Sequence, residues 1–197
     1  MSDPWRTAPT LVGRHVTLRP LVPGDKDALV AAAAADDLWD IFYASVSQMK
    51  DADRWLAATF AQVEQGRALV FAVCDPAGTV VGTTRYMRMN EGHRRLEIGG
   101  TFYATAVQRT GVNTEAKRLL LAHAFDTLGV QCVQIRTDAL NVRSQRAIER
   151  LGAKKDGVLR AHQIVAGRSR DSVVYSILDR EWPSVRQNLD YLLESHA

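Results

Sequence analysis

Two hydrophobic rhythms run along the chain. A period near 3.6 residues marks a helix with one buried face, and a period of two marks a strand with one buried face. Residues 16–21 are a short run of β-branched residues and leucine ended by Pro23-Gly24, which predicts a strand and then a turn. Residues 25–35 read as an alanine-rich helix with Asp25 as its N-cap. Residues 39–43 suit a short helix or an irregular bend. Trp55, Leu56, Thr59, Phe60 and Val63 fall at helical spacing within residues 51–65, and Gly66 closes that helix. Residues 69–74 and 79–89 are two strands around Asp75-Pro76-Ala77-Gly78, a hairpin turn.

The second half alternates. Residues 95–103 form a strand with Leu96, Ile98 and Phe102 on one face and Glu97, Gly99 and Thr101 on the other. A helix over 114–128 buries Leu120, Ala124 and Leu128 and stops at Gly129. Residues 133–137 are a strand, and 141–151 a helix with Gly152 beyond its end. Residues 157–165 and 170–178 make a final hairpin across Ala166-Gly167, and 181–195 a last helix. A meander followed by alternating strand and helix predicts one α/β domain over residues 1–197. Its sheet is mixed but mostly antiparallel, with helices on both faces.

Composition narrows the class without naming a function. With 197 residues, 46% hydrophobic and 24% charged, the chain suits one soluble globular domain. No apolar run reaches the length of a membrane span, and the first ten residues lack a signal-peptide core, so a cytoplasmic protein is expected. A net charge of +3 suits an anionic ligand but is too small to argue for nucleic acid. Cys74 and Cys132 lie in apolar strands and are expected as buried free thiols. No cysteine pair has zinc spacing and the five histidines are scattered, so no metal site is expected.

The chemistry concentrates at one junction. Gln108-Arg109-Thr110-Gly111-Val112-Asn113 lies between the strand over 95–103 and the helix that follows. The first N–H groups of a helix have no intrahelical partner and the dipole is positive there, so an anion fits. Neither a P-loop nor a dinucleotide fingerprint is present. The turn resembles the coenzyme A pyrophosphate loop of the GNAT superfamily of N-acetyltransferases, Gln/Arg-x-x-Gly-x-Gly/Ala, with Asn113 in the last position. Further segments are similar to its ribosomal-protein (RimJ/RimL-like) branch: Leu11-Val12-Gly13-Arg14-His15-Val16-Thr17-Leu18-Arg19-Pro20-Leu21 with Asp25, Leu96-Glu97-Ile98-Gly99, Asn141-Val142-Arg143-Ser144, and Glu181-Trp182.

The resemblance implies acetyl-CoA-dependent N-acetylation of a primary amine by direct attack in a ternary complex. It implies that two strands splay apart beside Gly99-Gly100 to admit the cofactor. Phe102, Tyr103, Gln108, Arg109, Thr110, Gly111, Val112, Asn113, Thr114, Asn141 and Ser144 would bind acetyl-CoA. Glu97 would be the general base, directly or through water, and Ser144 would protonate the leaving thiolate, with Tyr103 and Tyr175 in reserve. The bland alternatives are a solvent-facing or ion-paired Glu97 and a helix-capping Ser144. Asn141 reads as a helix N-cap in either case. His93 reads as a surface residue, His123 as packing, and His162 as a lining of the substrate mouth. Trp39, Phe42, Tyr43 and Trp55 are candidate acceptor contacts. The acceptor is a protein N-terminus or a small amine such as an amino acid, polyamine or antibiotic, and the chain a monomer or homodimer. A catalytically silent CoA-binding domain is the rival reading.

Overall fold

A computed structural model describes residues 3–194 of the chain. Eight strands form one sheet in the order β1-β2-β3-β4-β5-β6-β8-β7. They are β1 (Leu11–Val12), β2 (Thr17–Pro20), β3 (Ala68–Cys74), β4 (Val80–Asn90), β5 (Arg95–Tyr103), β6 (Cys132–Asp138), β7 (Lys154–Val165) and β8 (Arg168–Leu178). Every neighbouring pair is antiparallel except β5 and β6. Five α-helices flank the sheet: α1 (Lys26–Ala34), α2 (Ala52–Glu64), α3 (Gly111–Ala122), α4 (Val142–Arg150) and α5 (Trp182–Glu194). The β5–α3–β6 crossover is the connection a parallel pair requires. The sequence-predicted helix over 114–128 begins three residues earlier and ends in a turn of π-helix, His123–Thr127. Ser195, at the predicted end of the last helix, lies outside the described residues.

Two apolar clusters sit on opposite faces of the sheet. The larger joins Leu18, Phe71, Leu96, Ile98, Val133, Ile135 and Tyr175 to α3 through Val112, Ala116, Leu120 and Leu121. The smaller joins Leu29, Ala33, Leu38, Met49 and Leu56 to Val70, Ala72 and Cys74. β3 is buried along its whole length and contributes to both. Phe102 belongs to the smaller cluster, not with Leu96 and Ile98 as strict alternation predicted. The reason is a bulge: Arg85 pairs with Gly99 and Thr83 with Phe102, so Gly100 and Thr101 together oppose Thr84. Gly100 has φ +56°, a left-handed conformation that suits glycine, and the extra residue reverses the phase of everything after it.

Asp25 also departs from expectation. It precedes α1 but its side chain caps nothing there. Instead it accepts from the Val22 N–H at 2.9 Å and from both terminal nitrogens of Arg19 at 2.8 and 2.6 Å. Arg19 and Asp25 thus lock the end of β2 to the start of α1, and the pairing holds the Asp25 carboxyl below its usual range against the opposing effect of burial. Cys74 is buried as expected, whereas Cys132 is only half-buried; both are free thiols.

Candidate active site

The parallel pairing of β5 with β6 runs from Arg95–Cys132 to Ile98–Ile135 and stops there. Beyond it the strands separate, with Gly99, Gly100 and Thr101 on one side and Arg136, Thr137 and Asp138 on the other. The bulge lies at the mouth of this opening. Because it reverses the phase of β5, Thr101 and Tyr103 turn toward α3 while Phe102 turns away.

On the α3 side the chain leaves β5, makes one short turn (Thr105–Val107) and enters α3 at Gly111. Thr110 is the N-cap. Its hydroxyl accepts from the Val112 N–H at 3.3 Å and donates to the Val107 carbonyl at 2.6 Å. Arg109 is held in the left-handed region at φ +64°. Gln108 donates to the Tyr103 carbonyl at 2.8 Å and accepts from Arg143 of α4, so it ties the loop to both lips of the opening. The N–H groups at the start of α3 precede the first intrahelical bond and have no partner within the helix. Gly111 packs against His15, whose ring would lie 2.8 Å from any added Cβ. The hydroxyls of Tyr103 and Thr105 are buried with no hydrogen-bond partner among the described residues. The other N–H groups at this helix start, and the unpartnered hydroxyls beside the parted strands, fit a pyrophosphate carried on a polar arm.

Not every residue expected here presents its side chain. Val112 is buried in the larger core and Phe102 in the smaller. Thr114 is fully buried and its hydroxyl accepts from Arg150 of α4 at 3.0 Å. Gln108, Arg109, Thr110, Gly111 and Asn113 remain around the loop. Across the opening, Asn141 is the N-cap of α4, as the sequence indicated: its Oδ1 accepts from the Ser144 N–H at 2.9 Å. Ser144 is thereby the capped residue rather than the cap, and no partner is seen for its hydroxyl among the described residues. Tyr175 is occupied elsewhere, donating to Glu149 at 2.9 Å, and burial together with that carboxylate pushes its pKa up to about 12. Burial raises the Tyr103 pKa further still.

The opposite face of the opening carries ions. Glu97 is 4% exposed, so it is not a solvent-facing carboxylate. Both of its oxygens accept from Arg88 at 2.9 Å, and Arg136 Nε lies 3.1 Å away. Arg88 reaches it through a second bulge, where Met87 pairs with Glu97 and Asn90 with Arg95, and Arg88 takes φ +48°. Asp138 is held similarly by Arg168 and Arg170. His162 lies on this side, with Nδ1 2.9 Å from Ser172 Oγ, and its pKa is lowered first by burial and then by Arg136, Arg88 and Arg170. Phe42 is exposed beneath the Arg168 guanidinium, 5.4 Å from it. Trp55 walls a cavity on this side, and Trp39 packs against the smaller core. His93 is on the surface and His123 is buried against Tyr86, as expected.

Two charged residues of α3 escaped the sequence reading. Glu115 is buried and accepts from the N–H groups of Arg14, His15 and Val16 at 2.9, 2.5 and 3.0 Å. Gly13 has no side chain because one would collide with that carboxylate. Lys117 is 6% exposed, donates to Thr101 at 3.0 Å, and has no acidic partner among the described residues. Burial lowers its pKa to about 7. The usable signal was the pattern: both fall on the same helix as Ala116, Leu120 and Leu121, close to its apolar stripe.

Comparison with known proteins agrees with this geometry. A family profile described as "Acetyltransferase (GNAT) domain" matches residues 15–154. YdaF of Bacillus subtilis is 32% identical over 105 residues, covering 53% of this chain and 57% of its own length. YoaA of the same organism, named as an uncharacterized N-acetyltransferase, is 26% identical over 176 residues, covering 86% of this chain and 97% of YoaA. The crystal structure of a GCN5-related N-acetyltransferase from Brucella melitensis superposes with a TM-score of 0.82 at 31% identity, covering 95% of this chain and 86% of that one. Mycobacterium smegmatis RimJ in complex with CoA-disulfide shares the fold, with a TM-score of 0.79 at 21% identity over 98% of this chain and 97% of its own. Among the described residues no helix is long and apolar enough to cross a membrane. With the family profile, the relatives and the parted strands in agreement, the chain belongs to the GNAT family of acetyltransferase enzymes.

Proposed function

We propose that this chain transfers the acetyl group of acetyl-CoA to a primary amine by direct attack in a ternary complex. The observation that carries this reading is the end of β5–β6 pairing at Ile98–Ile135, beside the Gly100 bulge and the loop entering α3. Gln108, Arg109, Thr110, Gly111 and Asn113, with Tyr103, would hold the cofactor from the loop, and Asn141 and Ser144 from α4. When bound, acetyl-CoA supplies an activated thioester. The chain's own residues then have three tasks: to orient that group, to take a proton from the amine and to return one to the departing sulfur.

Glu97 is the proposed base and acts through water, since Arg88 and Arg136 occupy its oxygens. Arg88 is 40% exposed, so solvent reaches the ion pair from its side. Ser144, with its unpaired hydroxyl, is the proposed proton donor, and Tyr103 the reserve. Direct attack is preferred to an acetyl-enzyme because burial raises the pKa of both Cys74 and Cys132, which keeps each thiol protonated. The same free thiols favour a cytoplasmic setting. The acceptor is a protein N-terminus or a small amine; YdaF carries a provisional name as a ribosomal N-acetyltransferase, which favours the former.

One observation favours the rival reading of a silent CoA-binding module: Arg88 and Arg136 already engage the Glu97 carboxylate, so a water or an amine has to compete with them to reach it. Thiol release from acetyl-CoA, followed over a panel of peptides with varied N-termini and small amines, separates the two. Amine-dependent thiol release is expected. A CoA-induced rise in melting temperature with no thiol release for any amine would leave only the module.

A further inference from the structure

The opening between β5 and β6 has two approaches. The loop and α3 occupy one face of the sheet, so an amine must come to the acetyl group from the other. That second approach has an unbalanced charge. Glu97 is shared by Arg88 and Arg136, and Asp138 by Arg168 and Arg170. Arg85 is the cation nearest the bulge: an added Cβ on Gly100 would meet its guanidinium. Arg85 has no carboxylate within ion-pair distance among the described residues, and its Nε is buried without a hydrogen-bond partner.

A cavity of about 370 Å³ opens directly onto Arg85. Its walls carry Arg54 and Arg85 against one carboxylate, Asp51, which already accepts from the Arg54 N–H at the start of α2, while the Lys50 ammonium beside them is paired with Asp40. Trp55 and Thr59 supply the rest of one side. The volume suits a group of amino-acid size. Withdrawing a guanidinium from water without a counter-ion is costly, and such a site is stabilised when a ligand supplies the anion. Burial first, and then the neighbouring Arg88, lower the Arg85 pKa, and the charge of Glu97 offsets only part of that.

We propose that the acceptor is an amine that also carries a carboxylate, and that Arg85 holds this carboxylate in the cavity beside α2. The proposal rests on the acetyl-transfer reading above and narrows its acceptor. Polyamines and aminoglycosides are excluded by the same field that draws the carboxylate in. The carboxylate belongs either to a free amino acid or to an acidic residue near a peptide N-terminus. The chemistry at Arg85 is the same in both.

The test uses the full chain with saturating acetyl-CoA and acceptors matched in their amine. Ser-Glu-Glu-Ala-amide, Ser-Gln-Gln-Ala-amide and Ser-Lys-Lys-Ala-amide differ only in side-chain charge, and phenylalanine with phenylalaninamide, compared per concentration of neutral amine, tests a free amino acid. At least one carboxylate-bearing acceptor is expected to exceed its uncharged partner by roughly 10-fold or more in kcat/KM, the size of a single charge-assisted contact. Which pair shows the effect identifies the source of the carboxylate. Arg85→Gln is expected to erase that difference by raising KM for the acid acceptor alone, with acetyl-CoA affinity unchanged, and Arg85→Lys to restore part of it. Equal kcat/KM within every pair, or a preference for the lysine peptide or spermidine, overturns the proposal. Calorimetric titration of the same acceptors into the CoA-saturated chain distinguishes the two failures. Arg85-dependent binding without turnover sinks acetyl transfer and keeps the anion site; turnover or CoA binding without any carboxylate preference sinks the anion site alone.

Discussion

The two sides of the opening between β5 and β6 are built from different materials. The α3 side consists of main-chain N–H groups, unpartnered hydroxyls and a lysine that burial inclines toward its neutral form. The far side consists of arginines and carboxylates gripping one another across strands. A cofactor site made of backbone needs only a turn, a bulge and a helix start, so many side chains can surround it. A face made of ion pairs depends on each residue named. This is why a short loop motif could suggest the proposed cofactor site, whereas the charged face had to be read from the folded chain.

Glu97 gives the sharpest way to break the comparison, because it is the proposed base and lies on the charged side. Glu97→Gln retains the shape and an acceptor for Arg88 but loses the base. The expected loss in kcat is on the order of 10²–10⁴-fold with CoA affinity intact, partly recovered as rising pH neutralises the amine. Steady-state rates across pH decide it, and an unchanged kcat at neutral pH would make Glu97 purely an anchor for Arg88 and Arg136.

Asn113→Asp probes the other side. A carboxylate in the first turn of α3 favours the helix itself, so folding stability should hold or rise slightly. The same charge would face the pyrophosphate and weaken CoA binding by roughly 10–100-fold. Opposite signs in denaturation and calorimetry are the signature sought; equal CoA affinity would remove the loop from the site. Gly111→Asp is a poorer probe, because its side chain would also displace His15.

Ser144→Ala asks whether α4 contributes chemistry. The expected penalty in kcat is about 10–100-fold, the weak end of acid catalysis. Stability should barely change, because Asn141 performs the capping. Asn141→Ala should instead cost about 1 kcal/mol in chemical denaturation. A Ser144→Ala variant with full kcat would move the search for the acid to Tyr103.

The smallest effect is on stability alone. A lysine with a folded pKa of about 7 against an ordinary 10.5 binds fewer protons folded than unfolded between those values. Stability therefore rises with pH through that window and is flat below it, where Lys117 is charged in both states. Lys117→Met should flatten the slope and stabilise the chain at pH 7 by on the order of 2 kcal/mol. Urea midpoints between pH 6 and 10 measure both. A variant that keeps the slope would show that Lys117 is not its source.

Local signals were legible and crossings were not. The N-cap at Asn141 was readable because cap and partner lie three residues apart. The bounds of β5 were readable from alternation, but the face of Phe102 was not: a bulge adds one residue, and periodicity cannot show where phase reverses. Asp25 misled because its local pattern suggested a cap while Arg19 claimed it. The partners of Glu97 come from two different strands, β4 and β6, and only the sheet brings them together. The buried charges Glu115 and Lys117 on α3 went unread, because the partners that bury them, residues 14–16 and Thr101, lie far from α3 or on another element.

Glu115 gathers three amide hydrogens from Arg14, His15 and Val16 onto a helix about a hundred residues away in sequence. Exchange of those hydrogens with solvent requires α3 to shift or the segment to peel away from it. To the extent that exchange there goes through motion of α3, a ligand that steadies the start of α3 is expected to slow it, which would make that far segment a reporter of occupancy at the proposed cofactor site.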